Sequence, residues 1–257
     1  MASNRDRAKA KAKKKAQGQE SWLETIKTVF WAVLIALLVR TFAYEPFSIP
    51  SGSMLPGLLV GDYLFVSKFS YGYSRYSFRW SPTLFSGHRL SDTPERGDDV
   101  VFRLQTDPKI DYIKRVVGLP GDRIQVQGGV LYVNGEPVER QRVEDWVDED
   151  AGLSRPITRY IEHMPGGPSY QVLDLVENGS LDNNRVYEVP PGHVFAKGDN
   201  RDNSLDSRVD NVGFIPVENL IGRAVILCFS TTGEARLWEP WRWLGATRVG
   251  RLFKPID

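Results

Sequence analysis

The chain carries one strongly apolar stretch, followed by a succession of short alternating segments. Residues 28–39 (TVFWAVLIALLV) are apolar after Thr28, and Thr41-Phe42-Ala43-Tyr44 extends the run. Its 12-residue core would measure only ~18 Å as a helix, short for a hydrocarbon layer of ~30 Å. Trp22 and Tyr44, however, bracket 23 residues, ~34 Å of helix, at positions suited to interfacial aromatics. Lys27 and Arg40 lie near the ends, where long side chains can snorkel. The pattern predicts a transmembrane anchor over residues 22–44. A soluble core helix and a cleaved signal peptide are the other readings of such a run. Cleavage would require small residues at −3 and −1, and Thr41-Phe42-Ala43-Tyr44-Glu45-Pro46 offers no such pair.

From residue 45 onward the pattern is β-like. Residues 63–67, 100–103, 112–117 and 224–229 are rich in β-branched and aromatic residues. Arg123-Ile124-Gln125-Val126 meets Val130-Leu131-Tyr132-Val133 across Gly128-Gly129, a hairpin signal, and Asn134-Gly135 marks a second turn. No 3.6-residue period of helical length follows the anchor. The prediction is a mainly β fold: an antiparallel barrel or two-sheet domain over residues 45–257. Residues 139–184 are acidic and polar and hold Gly166-Gly167-Pro168. They are predicted to form a smaller, loop-rich inserted subdomain.

Composition narrows the function classes. Of 257 residues, 41% are hydrophobic and 25% charged, a globular balance. A net charge of +1 argues against nucleic-acid binding through bulk charge. The single cysteine, Cys228, excludes an internal disulfide and any multi-cysteine metal site. His88, His163 and His193 are far apart in sequence with no His-Glu-x-x-His run, which argues against histidine-rich metal catalysis; the expectation is no metal and no cofactor. The charge is also uneven. Seven Lys/Arg against Asp6 and Glu20 give residues 1–20 a charge of +5, leaving −4 for the rest. Residues 1–21 therefore read as a solvated basic tail. The positive-inside rule puts that tail in the cytoplasm and everything after Tyr44 outside.

Two aromatic–basic segments stand out. Residues 71–80 (YGYSRYSFRW) could stack on nucleic-acid bases. In an anchored outer domain, contact with the membrane interface is the better reading, with ordinary packing as its rival. Residues 237–244 (LWEPWRWL) read the same way.

Three segments carry possible chemistry. Phe47-Ser48-Ile49-Pro50-Ser51-Gly52-Ser53-Met54-Leu55-Pro56 places two serines around a glycine between prolines. Such a backbone has a defined, non-repetitive course that can present a hydroxyl and free N–H groups. A surface turn would look the same. In Asp111-Tyr112-Ile113-Lys114-Arg115-Val116-Val117, alternation turns either Lys114 or Arg115 inward. A buried lysine loses its charged form and becomes a base; an edge-strand lysine would instead guard against aggregation. The third segment, residues 198–208 (GDNRDNSLDSR), faintly resembles a calcium loop. Counted from Asp199, however, it has Ser204 and Asp210 where an EF-hand needs Gly and Glu. Turn chemistry with Asp–Arg pairing is the structural reading.

Together these segments resemble the bacterial type I signal peptidases, or leader peptidases. The likeness rests on the anchor, the Ser51-Gly52-Ser53-Met54-x-Pro56 box, and Arg96-Gly97-Asp98-Asp99-Val100-Val101-Phe102. It continues through Tyr112-Ile113-Lys114-Arg115 with Gly118-Leu119-Pro120-Gly121-Asp122, and Gly198-Asp199-Asn200-Arg201-Asp202-Asn203-Ser204-x-Asp206-Ser207-Arg208. It covers residues 22–138 and 186–225, and residues 139–184 match no motif. The resemblance implies a membrane-anchored serine endopeptidase that removes signal peptides through an acyl-enzyme, cleaving after small residues at −1 and −3. Ser53 falls on its nucleophile and Lys114 on its general base. Ser51, with the Ser53 N–H, falls on the oxyanion hole, and Ser204 on the hydroxyl that orients the lysine. Asp206 and Arg208 match a structural pair. Phe47, Ile49, Leu58, Leu64, Val101, Tyr112 and Ile113 match the walls of the substrate pockets. The implied partners are signal peptides of preproteins, membrane lipid and the export translocon, at the bacterial inner membrane. A narrow-client Ser/Lys processing peptidase and a non-catalytic tethered β domain that binds exported chains are the alternatives.

Overall fold

The structure is a computed structural model that describes residues 4–73, 76, 92–148, 153–232, 241 and 243–256. One helix, α1 (Asn4–Phe42), precedes the β region. Within it, Glu24–Phe42 spans 19 residues with a mean hydropathy of 1.7 and no buried residue, so by length and composition it can cross a membrane. The helix starts well inside the segment read as a solvated tail, where alternating Ala and Lys favour helix. It stops at Phe42, and Tyr44 already opens the first strand.

Beyond the helix, antiparallel pairing dominates. The largest sheet has eight strands. It is built from β1 (Tyr44–Ser48), β2 (Asp62–Ser67), β3 (Asp99–Arg103) and β4 (Asp111–Gly118), which are joined later in the chain by four more. A second sheet contains β5 (Arg123–Gln127), β6 (Val130–Val133) and β7 (Glu136–Pro137). A third contains β8 (Glu139–Arg142), β9 (Trp146–Asp148), β10 (Leu153–His163) and β11 (Ser169–Asp174). The chain then adds β12 (Tyr187–Glu188) to the second sheet. It returns to the first with β13 (His193–Lys197), β14 (Ile215–Pro216), β15 (Leu220–Ser230) and β16 (Lys254–Pro255). The order in the first sheet is β1-β2-β15-β3-β4-β13-β14, with β16 on β15.

The predicted hairpins form as their turn residues require. Gly128 and Gly129 take φ of 53° and 75°, and Asn134 and Gly135 take 56° and 89°, the left-handed conformations of tight β-turns. The acidic insertion departs from its loop-rich reading. Thr158–His163 pairs with β11 on one side, and Tyr160–His163 pairs with β8 on the other. Burying Tyr170 and Val172 against Val117, Val126 and Phe195 supplies the apolar face that its acidic sequence disguises.

Two further cores flank the first sheet. Val100, Phe102, Val116, Ala196 and Leu220 pack with Tyr71 on one. Ile49, Met54, Leu58, Leu64, Val66, Val101 and Leu227 form the other. Tyr71 is buried and its hydroxyl donates to Asp98 at 2.7 Å, so this end of the aromatic–basic loop packs. Of that loop only residues 71–73 and 76 are among the described residues. Of the tryptophan-rich segment, residues 237–240 and 242 lie outside them. Trp241 is exposed, whereas Trp243 packs on Phe229 with ring centres 5.2 Å apart.

Candidate active site

Ser53 sits in a single 3₁₀ turn, Gly52–Met54, between β1 and β2. Met54 is fully buried and plugs the turn into the core of Ile49 and Leu58. Leu58 N–H bonds back to Met54 O at 2.9 Å. The serine side chain is thus carried by an anchored loop rather than a mobile one.

Lys114 comes from β4 and meets this turn. Its Nζ lies 2.7 Å from Ser53 Oγ and donates a second bond to Ile113 O at 2.8 Å. Alternation left open whether Lys114 or Arg115 turns inward; both are 4% exposed, on opposite faces. Burial pushes the Lys114 amine down to about 8, against the opposing pull of Asp206, Asp199 and Asp99. With that value, roughly one amine in five is neutral at pH 7.4, against about one in a thousand for a free lysine. When the amine is neutral the bond reverses, and the Ser53 hydroxyl donates to Nζ. The pair can therefore move a proton from an alcohol to an amine without histidine.

Ser51 Oγ lies 3.5 Å from Ser53 Oγ, a contact at the outer limit of hydrogen bonding. Ser204 is buried beside Gly198, but its hydroxyl has no hydrogen-bond partner among the described residues. The lysine-orienting contact expected of Ser204 is therefore not part of this geometry, and Ile113 O takes that place. Asp206 and Arg208 form a buried bidentate pair, with Nε to Oδ1 at 2.9 Å and Nη2 to Oδ2 at 2.8 Å. Asp206 Oδ2 also accepts the Gly198 N–H at 3.0 Å. Gly198 has no room for a side chain: a Cβ there would come under 3.0 Å from both Ser204 and Ser53 O.

The expected pocket walls divide into two groups. Phe47, Ile49, Leu58, Leu64, Val101 and Ile113 share one cluster. Leu64 is completely covered, and Ile49, Leu58 and Val101 nearly so, whereas Phe47 and Ile113 are half-buried at the margin. Tyr112 packs elsewhere, edge-on to Phe102, with its ring centre 5.3 Å from Lys114 Nζ.

Several supporting residues escaped the sequence reading. Arg115 binds Asp199 through Nε (3.0 Å) and Nη2 (2.9 Å), reaches Asp99 at 3.2 Å, and lies 4.4 Å from the Tyr170 ring centre. Burial pushes the Asp99 carboxyl up to about 7 against the pull of Arg115, and the negative charge of Asp199 adds to the rise. Glu162 on β10 holds Arg201 with two bonds of 2.7 and 2.6 Å. Their partners lie tens of residues apart, so sequence spacing carries no signal for them. Asp199 and Asp206 each accept from an arginine, which is the turn-and-pairing reading of residues 198–208. Among the described residues, the carboxylates of Asp174, Asp182 and Asp202 lie within 4.8 Å of one another. They already serve Arg140, the Gly179 N–H, and the Leu175 and Val176 N–H groups respectively.

Comparison with known proteins adds an independent line. Residues 22–229 match the family model "Signal peptidase, peptidase S26". Signal peptidase I of Rickettsia typhi is 39% identical over 91% of this chain and 95% of its own. That of Rickettsia rickettsii is 40% identical over 88% and 90%. The crystal structure of a signal peptidase I from Enterococcus faecalis aligns with a TM-score of 0.30 at 23% identity, over 51% of this chain and 97% of that one.

Proposed function

The chain belongs to the signal peptidase S26 family of serine peptidases, and on that premise we propose that it removes signal peptides from exported preproteins with Ser53 as nucleophile and Lys114 as general base. One observation carries the assignment of roles: the 2.7 Å bond between a buried amine and the Ser53 hydroxyl. The neutral amine takes the hydroxyl proton as Oγ attacks the scissile carbonyl. The resulting oxyanion is met by the Ser53 N–H and the Ser51 hydroxyl. Collapse breaks the C–N bond, and the lysine returns the proton to the departing amine of the mature chain. Water, deprotonated by the same lysine, then hydrolyses the acyl-enzyme and restores Ser53.

The proposed specificity is placed at the apolar margin beside Ser53. Phe47 and Ile113 border a surface whose floor is already filled by Ile49, Leu58 and Val101. The resemblance to signal peptidases implies small side chains at −1 and −3, and a margin with this little free depth is compatible with them. An extended substrate running alongside the sheet would place such residues alternately against it.

The anchor contributes proximity. Ser53 follows the end of the apolar helix by only eleven residues, and a preprotein held in the same bilayer meets it at high effective concentration. By the positive-inside rule, the basic N-terminal part of α1, ahead of Glu24–Phe42, favours a cytoplasmic N-terminus at a bacterial inner membrane. Lipid and the export translocon are the natural neighbours there.

The test is processing of a model preprotein by the full chain in detergent, comparing wild type, Ser53→Ala and Lys114→Arg. A guanidinium cannot give up its proton at accessible pH. Both variants are expected to be inactive, and appreciable cleavage by either refutes the role assigned to that residue.

A further inference from the structure

Asn200 touches neither the lysine nor the serine hydroxyl in the hydrogen bonds described above. It nevertheless grips the backbone on both sides of Ser53. Its side-chain Nδ2 donates to Gly52 O at 2.9 Å, and its backbone N–H donates to Ser53 O at 3.1 Å. The residue is 2% exposed, so its side chain is held within the protein.

Geometry gives the first bond a consequence. Gly52 C=O and Ser53 N–H belong to one planar trans peptide and point in opposite directions. Fixing the oxygen therefore fixes the direction of the N–H. A hydrogen bond accepted by the oxygen also polarises the amide and strengthens its N–H as a donor. We infer that Asn200 is a positioning residue for the oxyanion hole, acting through the Gly52–Ser53 peptide. The inference rests on the Ser53/Lys114 reading above.

Asn200 can do this only if it is itself immobile, and the third sheet supplies that. Leu173 on β11 donates to Asp199 O at 2.9 Å and accepts from the Arg201 N–H at 2.9 Å, so the residues on both sides of Asn200 are hydrogen-bonded to one residue of the inserted sheet. The Glu162–Arg201 pair clamps the next side chain to the same sheet, and Tyr170 Oη donates to Glu162 at 3.1 Å. Gly198, two residues earlier, lies so close to Ser53 O that an added Cβ would come within 2.5 Å of it. The inserted sheet is thus a backing plate for the nucleophile turn, and this gives residues 139–174 a role that their acidic composition conceals.

The test uses full-length protein in detergent with a preprotein substrate. It compares Asn200→Ala and the near-isosteric Asn200→Leu with wild type and Ser53→Ala. Loss of the grip is expected to lower kcat on the order of tenfold to a hundredfold while KM stays within about twofold. The pH at which activity half-develops should not move, because the lysine environment is intact. Thermal midpoints should fall by no more than a few degrees for at least one of the two variants. Wild-type kcat in both variants overturns the inference. So does a loss that appears only with a shifted pH profile or with unfolding in both. If Ser53→Ala remains active, the dyad reading falls instead, and the two failures are distinguishable.

Discussion

Arg115 holds Asp199 with two guanidinium nitrogens in a site closed to solvent, and in doing so ties β4 to the start of the segment that grips Ser53. Lys114 is the residue before Arg115, and Asn200 is the residue after Asp199. One buried ion pair thus sets the spacing between the base and the nucleophile turn.

Removing one partner should expose that dependence. Asp199→Asn removes the carboxylate that Arg115 binds with two nitrogens, and breaking a buried pair this way costs about 3–5 kcal/mol. A fall in thermal midpoint is expected. In whatever fraction remains folded, Lys114 loses one of the charges that raise its pKa. The acid limb of the activity profile should therefore move to lower pH. An unchanged midpoint would mean that the pair does not carry the fold here.

Gly198→Ala probes packing rather than charge. The added methyl would collide with Ser204 and with Ser53 O, so the nucleophile turn must shift. Activity should drop by at least an order of magnitude, for a stability cost of about 1–3 kcal/mol. Comparing single-turnover rates with chemical denaturation separates the two effects.

Lys197 is the reverse case. Its amine is buried without a hydrogen bond among the described residues. Burial pushes it well below the ordinary lysine value; Arg201 and Arg208 add to the fall, while Glu162 and Asp206 oppose it. The unfolded chain therefore binds a proton that the folded chain refuses. Stability should rise with pH toward the unfolded value near 10.5 and decline as pH falls. Lys197→Met should raise stability by about 1–3 kcal/mol at neutral pH. It should also flatten that pH slope by up to about 1.4 kcal/mol per unit. Denaturation curves at several pH values would show the same slope in variant and wild type if the buried amine were charged.

How far these features were legible in the sequence depended on the range of the interaction. The Gly128-Gly129 hairpin and β2 to β4 follow from local turn chemistry and alternation, which short windows capture. The conjunction of Ser53 with Lys114 was legible only through family resemblance, because 61 residues separate them. The strands of the insertion were hidden by charge: Glu162 reads as solvent-facing until Arg201, 39 residues later, pairs with it. Asn200 stood inside a family motif but gave no signal of this contact, since its acceptor at Gly52 lies 148 residues away. Tyr112 differs from the other expected pocket residues in its packing, although its ring lies 5.3 Å from Lys114 Nζ. It sits next to Ile113 in sequence, yet alternation turns it toward Phe102 and away from the cluster that the other pocket residues share.

The whole account turns on a lysine that sheds its proton close to neutrality because it is dry and hydrogen-bonded to a serine. Direct titration of the Lys114 side chain tests this, by carbon NMR of isotopically labelled full-length protein in micelles, with Lys114→Arg to assign the resonance. The account predicts a midpoint near 8, accompanied by the onset of peptidase activity over the same range. A Lys114 midpoint at the ordinary value near 10.5, with activity already full below it, would contradict it.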